Sequence, residues 1–325
     1  MIRETKKGLR MNIVILDSKT LGEDLDLTPL REFGELSNFQ TTSEEEIEGR
    51  IIDADIIITN KVVITKELME KAKKLKLICI AATGTNNVDL ETAQALKIVV
   101  KNVTGYSTKS VVQHTFTMTL NLMGRIAYYD ERVKNGTWSR GDLFTDLSQP
   151  FNEIAGKTWG VIGLGAIGKE VAHIAEAFGA TINYYSTSGQ NKINDYHHAK
   201  LDDLLKKSDI ISIHAPLNEQ TQNLINGSNL PYLKEKAILL NLGRGGIVNE
   251  EEVAKELNKR EIYVALDVCE VEPILESNPL LKLEHPERLL MSPHIAWASI
   301  EARQRLLLGI IDNIKTFLTQ KTVQF

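Results

Sequence analysis

Thr158-Trp159-Gly160-Val161-Ile162 is a short apolar run that passes directly into Gly163-Leu164-Gly165-Ala166-Ile167-Gly168, and residues 166–178 then carry helical periodicity. A strand, a glycine turn and a helix in immediate succession constrain the chain to the α/β class built on parallel strands, since the helix must return over the sheet before another strand can pair. The spacing gives each glycine a task. Gly163 permits the tight turn, Gly165 lets backbone N–H groups approach a pyrophosphate, and Gly168 allows close packing of helix on strand. The helix N-terminus adds about half a positive charge facing that anion. Glycines so spaced also occur where a helix merely packs closely on a strand, but the flanking strand and helix favour phosphate binding.

The chain has 325 residues, 42% hydrophobic and 25% charged, enough to bury two ordinary cores. A formal net charge of -5 provides no basic field for nucleic acid. The acidic run Glu44-Glu45-Glu46 follows Ser43, and Ser43 with Glu46 forms a capping box at a helix start. Two cysteines, Cys79 and Cys269, each sit in an apolar stretch, which predicts reduced, buried thiols, a cytoplasmic setting and no metal site. No stretch approaches about 18 uninterrupted apolar residues, so no membrane partner is expected. Residues 1–10 lack the apolar centre of a signal peptide, and Met11 is the expected structural start.

Short apolar strands alternate with helical patterns in two blocks. The first block has strands near 12–16, 55–59, 77–80 and 98–100, with helices at 43–51 and 66–74. A long helical stretch, 107–134, leads into Asn135-Gly136 and a polar loop through Pro150, read as a linker or an oligomer contact. The second block has strands near 158–162, 181–185, 209–214, 237–241, 263–267 and 289–291, the order of a doubly wound nucleotide-binding sheet. A last helix, 300–319, carries Leu306, Leu307, Ile310, Ile314 and Phe317 on one stripe.

Chemistry in such a sheet belongs at the carboxyl ends of the strands. Arg244, within Gly243-Arg244-Gly245-Gly246, follows one strand and offers a five-donor fork suited to a carboxylate. Glu272 precedes Pro273 after the next, and His294 follows Pro293 after the last. Each alone reads equally as a satisfied polar group. Together, behind a dinucleotide turn, they suit hydride transfer on a small 2-oxo or 2-hydroxy acid. His294 would protonate the carbonyl oxygen on reduction and accept the proton on oxidation; Glu272 would orient the imidazole and keep it protonated; Arg244 would grip the substrate carboxylate and stabilise developing charge.

From Met11 onward the chain resembles the D-isomer-specific 2-hydroxyacid dehydrogenase family. The resemblance rests on Thr83-Gly84-Thr85-Asn86-Asn87-Val88-Asp89, Val103-Thr104-Gly105-Tyr106-Ser107-Thr108, the glycine turn, Asn241-Leu242-Gly243-Arg244-Gly245, Leu266-Asp267-Val268 with Glu272-Pro273, and Ser292-Pro293-His294-Ile295. It implies an Arg244/Glu272/His294 catalytic triad and a substrate carboxylate also received by the turn at Thr83, Gly84 and Thr85. It further implies a cofactor cleft lined by Thr108, Gly163, Gly165, Ala166, Ile167, Gly168, Ala215, Pro216, Thr221, Leu242 and Gly243, with Asp267 on the nicotinamide carboxamide. The implied fold is two doubly wound parallel-sheet domains, Rossmann-like and flavodoxin-like, with a nucleotide domain at 105–294 inserted into a substrate domain at 11–104 plus 295–325. Active members are usually dimers joined through the long helix and the loop after it.

Within the family the segments 105–114 and 294–299 look most like the glycerate dehydrogenase, or hydroxypyruvate reductase, branch. Gln113 stands where many relatives carry Glu. His114, Trp138 and Trp297 read as packing groups. After 181–185, where a strict NAD enzyme places an acid on the ribose 2′-hydroxyl, this chain has Ser186-Thr187-Ser188-Gly189 with Lys192 nearby. NAD(H) is therefore expected by default, with NADP(H) also turned over. D-lactate or phosphoglycerate dehydrogenases are the enzymatic alternatives, although phosphoglycerate calls for a basic cluster that is not evident near 82–87. An NAD-sensing binding protein without turnover is the alternative of a different class; no appended interaction tail speaks for it.

Overall fold

The computed structural model describes residues 10–189 and 195–322. In Ile56–Thr59, Leu77–Ile80, Ile210–Ile213 and Tyr263–Leu266 every residue is buried. Strands of that kind need cover on both faces, which parallel sheets with crossover helices supply. Two units result: residues up to Ser107 together with those from Ala298, and Thr108–Trp297. The sequence placed these joins at 104/105 and 294/295.

The first unit holds β1 (Met11–Ile15), β2 (Gly34–Asn38), β3 (Ile56–Thr59), β4 (Leu77–Ile80) and β5 (Val99–Lys101) in one parallel sheet of order β2-β1-β3-β4-β5. That is the flavodoxin-like order. Its crossovers carry α1 (Glu44–Ile51), α2 (Lys66–Lys71) and α3 (Leu90–Ala95). The capping box forms at α1, where the Ser43 N–H donates to Glu46 Oε2 at 2.9 Å. β2 escaped the sequence reading because Leu36 is its single buried residue, so it has no apolar run to announce it.

The second unit begins with α4 (Thr108–Gly124) and α5 (Ile126–Lys134), one helical stretch broken where Arg125 takes a left-handed φ of 53°. Its sheet contains β6 (Thr158–Ile162), β7 (Thr181–Tyr185), β8 (His197–His198), β9 (Ile210–Ile213), β10 (Ile238–Asn241), β11 (Tyr263–Leu266) and β12 (Leu289–Met291), all parallel, ordered β12-β11-β10-β9-β6-β7-β8. β8 is two exposed histidines and likewise left no apolar signal. The remaining helices are α6 (Ala166–Ala177), α7 (Leu201–Lys207) and α8 (Glu250–Lys259). One face of the sheet is closed by Val111, Phe116, Val171 and Ala175 over Trp159 and Leu240. Trp159 is fully buried, and its Nε1–H donates to Ser212 Oγ at 2.9 Å, so the polar atom of the largest core side chain is satisfied. From β6 the strands run outward through β7 and β8, then resume at β9 on the other side of β6. Ligands enter such sheets at that reversal, beyond the carboxyl ends.

α9 (Ile300–Thr322) belongs to the first unit and packs on β4, burying Leu306, Leu307, Ile310, Ile314 and Phe317. Arg303 fixes its start through two bonds to Asp24, at 2.5 and 2.8 Å. Two packing expectations change. Cys79 is buried, but Cys269 is only half-buried because it lies beyond the end of β11. Trp138 is 44% exposed, on a short helical turn outside the core. Lys192 and residues 1–9 lie outside the described residues. Among the described residues no helix is long and apolar enough to cross a membrane.

Candidate active site

The glycine turn leaves β6 at the sheet reversal. Gly163 has φ 90°, and a Cβ there would sit 2.9 Å from the Ala215 nitrogen, so its smallness lets the turn lie against the end of β9. A Cβ on Gly168 would meet the Gly163 carbonyl oxygen at 2.1 Å, which fixes how closely α6 approaches the turn. Gly165, which caps α6, faces open space within 4 Å. Its neighbours Ala166 and Ile167 then present first-turn N–H groups that a helix cannot satisfy internally. A Cβ on Gly243 would lie 2.7 Å from the Ala215 carbonyl oxygen, bringing the Leu242-Gly243 loop onto the same strand end. Thr221 braces that region: its Oγ1 donates to the Pro216 carbonyl at 2.6 Å and accepts from the Asn218 N–H at 2.8 Å.

Polar atoms without protein partners lie at the neighbouring strand ends. Ser186 Oγ, just beyond β7, is buried and unpaired, as are both ring nitrogens of His214 beyond β9. Burial pushes His214 down to about 3, so the ring is neutral at ordinary pH. Such a cradle fits a dinucleotide: the helix start at Gly165 would hold phosphates, and Ser186 Oγ and the His214 ring are buried polar groups that a bound polar ligand would satisfy. Thr187 is half-buried beside Ser186, and Thr108 is half-buried at the start of α4.

The reactive side chains lie on the next three strand ends. Beyond β10, Asn241 shapes the arginine turn: its Nδ2 donates to the Arg244 carbonyl at 2.9 Å and its Oδ1 accepts from the Gly243 N–H at 3.0 Å. Arg244 itself is exposed, with Nη1 donating to the Gly243 carbonyl at 2.8 Å. Beyond β11, Glu272 Oε1 accepts from the Cys269 N–H at 3.1 Å, and Glu272 Oε2 lies 2.7 Å from His294 Nδ1. A carboxylate only accepts, so Nδ1 carries a hydrogen and Nε2 is left as the atom that gives or takes a proton. A Cβ on Gly245 would come 1.8 Å from the Cys269 carbonyl oxygen, so the arginine turn presses directly on the segment that carries Glu272.

His294 sits at φ 54°, its N–H donating to the carbonyls of Asp267 at 2.8 Å and Ser292 at 3.0 Å. The Asp267 carboxylate, 3% exposed, accepts from Ser292 Oγ at 2.6 Å, the Ile295 N–H at 2.9 Å and the Ala296 N–H at 3.0 Å. These bonds tie the histidine's segment to Asp267, and Oδ2, which receives only the Ala296 N–H among them, keeps acceptor capacity for the carboxamide contact the resemblance implies. His114, read from the sequence as a packing group, also makes a polar contact where α4 meets this segment, with Nε2 2.9 Å from Ser292 Oγ. Glu250, at the first turn of α8, was not singled out by the sequence reading. It is buried, accepting from the Glu270 N–H and Asn278 Nδ2 at 2.6 Å each, and so anchors the loop carrying Glu272. Its only sequence signal is an acid in a first helical turn, which most helices share. The half-burial of Cys269, together with the charges of Glu250, Glu272 and Asp267, pushes its thiol up to about 11.

Thr83, Gly84 and Thr85 belong to the first unit, beyond the carboxyl end of β4. Asn102 Nδ2 donates to the Thr83 carbonyl at 2.6 Å and Thr83 Oγ1 donates to the Val103 carbonyl at 3.3 Å, leaving a half-exposed turn.

Comparison with known proteins adds independent information. Residues 116–296 match the family described as D-isomer specific 2-hydroxyacid dehydrogenase, NAD binding domain. The chain is 36% identical to a glycerate dehydrogenase of Methylorubrum extorquens over 95% of its length and 96% of the relative's. It is 34% identical to a hydroxypyruvate reductase of Blautia hydrogenotrophica, over 95% and 97%. Among solved structures, an acyclic imino acid reductase in complex with NADPH and D-Arg shares the fold with a TM-score of 0.83 and 30% identity, covering 96% of this chain and 98% of that one.

Proposed function

The chain belongs to the D-isomer specific 2-hydroxyacid dehydrogenase family, NAD-dependent oxidoreductases acting on a CH–OH group, and on that premise we propose that it reduces hydroxypyruvate or glyoxylate. The observation that carries the site assignment is the 2.7 Å link from Glu272 to His294, placed one strand end from Arg244 in the unit that holds the glycine turn.

A nicotinamide dinucleotide held at the glycine turn by Gly163, Gly165 and Gly168 would supply the hydride chemistry at C2 of the substrate. His294 Nε2 delivers a proton to the carbonyl oxygen during reduction and takes it from the hydroxyl during oxidation. Glu272 keeps the imidazole in the one tautomer that leaves Nε2 available, and offsets the charge when the ring is protonated. Arg244 holds the substrate carboxylate with paired N–H donors, and its charge favours the transition state as the carbonyl oxygen becomes negative. In the first unit, Thr83, Gly84 and Thr85 form a half-exposed turn beyond a strand end, whose backbone N–H groups are of the kind that receive a carboxylate.

We further infer a homodimer formed through α4, α5 and the loop after them. In that loop Leu143 is 70%, Phe144 90% and Leu147 77% exposed, a run of large apolar side chains of the kind that marks an interaction surface. Two free cysteines suit a reducing, cytoplasmic setting. The test is turnover of hydroxypyruvate, glyoxylate, pyruvate and phosphohydroxypyruvate with NADH and with NADPH. Hydroxypyruvate or glyoxylate should show the highest kcat/KM, and a clear preference for pyruvate or the phosphorylated acid would overturn the substrate assignment. Light scattering during size-exclusion chromatography tests the dimer.

A further inference from the structure

α4 grips the segment that carries His294 at two points one helical turn apart. Ser110 Oγ donates to the Ala296 carbonyl at 2.6 Å, and His114 Nε2 lies 2.9 Å from Ser292 Oγ. Residues spaced by four lie on one face of a helix, so both contacts come from the same side of α4. The direction of the hydrogen bonds is determined. Asp267 Oδ1 can only accept, so Ser292 Oγ gives it the hydroxyl hydrogen across 2.6 Å and must then receive from His114. His114 therefore carries its hydrogen on Nε2, and the chain runs from His114 through Ser292 to Asp267. Asp267 in turn accepts the N–H groups of Ile295 and Ala296, while its own carbonyl accepts the N–H of His294. The left-handed backbone of His294 is thus bracketed by three bonds to Asp267, with a fourth from its N–H to the Ser292 carbonyl.

We propose that His114 is a positioning residue for the reaction: through Ser292 it fixes the Asp267 carboxylate, and through Asp267 the segment that aims His294 Nε2. This rests on the reading of His294 as the proton donor. His114 stands on α4, 178 residues before Ser292 in sequence and one-fifth exposed, with Nε2 also 3.7 Å from Asp267 Oδ1, so its link to the His294 segment runs through Ser292 and Asp267. Losing the donor leaves Ser292 free to rotate and Asp267 with one fewer fixed partner. A displacement of about 1 Å at a general acid is enough to slow chemistry strongly, whereas the glycine turn assigned to the cofactor's phosphates and the Arg244 fork assigned to the substrate carboxylate lie outside the relay.

The experiment compares the full-length chain with His114→Leu, His114→Gln, Ser292→Ala and His294→Ala, measuring kcat and KM for hydroxypyruvate and the Kd of NADH by fluorescence titration. His114→Leu should lower kcat about 10-fold while KM and Kd stay within about 3-fold. His114→Gln, whose amide nitrogen reaches nearly the same place as Nε2–H, should recover most of kcat. The double variant His114→Leu/Ser292→Ala should be no slower than the slower single variant, because both break one path. If His114→Leu does not accumulate as folded protein, Ser292→Ala must show the same split between kcat and KM. Native kcat in His114→Leu, or equal losses in His114→Leu and His114→Gln, overturns the proposal while His294→Ala remains inactive. Native turnover by His294→Ala removes its premise and the assignment of the proton donor with it.

Discussion

Gly245→Ala tests whether the arginine turn and the glutamate segment act as one rigid assembly. The added methyl would lie 1.8 Å from the Cys269 carbonyl oxygen and 2.2 Å from its carbon, both backbone atoms with no side-chain freedom to relieve the overlap. The two segments must part by more than about 1 Å to reach van der Waals contact. A shift of that size moves Arg244 relative to Glu272, and with Glu272 the imidazole bonded to it. Misplacement by about 1 Å costs on the order of 10²-fold in rate, whereas overpacking of one methyl costs about 1–3 kcal/mol of stability. The expected variant is therefore folded but slow. Circular dichroism should show a native spectrum with a slightly lower midpoint of thermal unfolding, steady-state kinetics should show kcat reduced at least about 50-fold, and the NADH Kd should change little. Native kcat in a folded Gly245→Ala protein would refute the idea that this close approach sets the catalytic geometry.

Arg244→Lys keeps the charge but loses the parallel donors, so kcat/KM for hydroxypyruvate should still fall by at least about 10-fold; full activity would remove paired carboxylate recognition. Ser186→Asp should suppress NADPH turnover far more than NADH turnover by placing a carboxylate near a 2′-phosphate, and an unchanged ratio of the two kcat/KM values counts against that position reading the ribose. Cys269, with its thiol pushed up to about 11, should resist iodoacetamide at pH 8 and become reactive as pH rises toward that value, because the thiolate is the nucleophile; rapid labelling at pH 8 in the folded protein would contradict the burial and charge described around it.

The parts of this protein that were legible in its sequence are those whose environment is local. The glycine turn announces itself because strand, turn and helix are contiguous and Gly168 meets a constraint set within that unit, the Gly163 carbonyl oxygen. Arg244, Glu272 and His294 were readable as candidates because each follows an apolar strand and sits among glycines or prolines. Their supports were not readable in the same way. Glu250 reaches a loop 20 residues on, and His114 a serine 178 residues on, so their roles exist only once the chain has folded. Asp267 shows the intermediate case: its motif was visible, but not that its carboxylate would be surrounded by N–H groups of 295 and 296. β2 stayed hidden for the opposite reason, since one buried leucine in five residues carries too little apolar pattern to mark a strand.

The return of α9 to the first sheet sets an order of events during synthesis. Residues 108–297 form one uninterrupted stretch and can complete their core as soon as they leave the ribosome, as contiguous domains generally do. The first unit, although made earlier, lacks Leu306, Ile310, Ile314 and Phe317 over β4 until the last helix is translated. The amino-terminal sheet is thus expected to wait, partly uncovered, while nearly 200 residues are made behind it, and to be the portion that depends on chaperones. Pulse proteolysis of released chains truncated after Trp297 should cut before Thr108 and spare the residues beyond it; equal protection of both regions would show that the first sheet closes without its final helix.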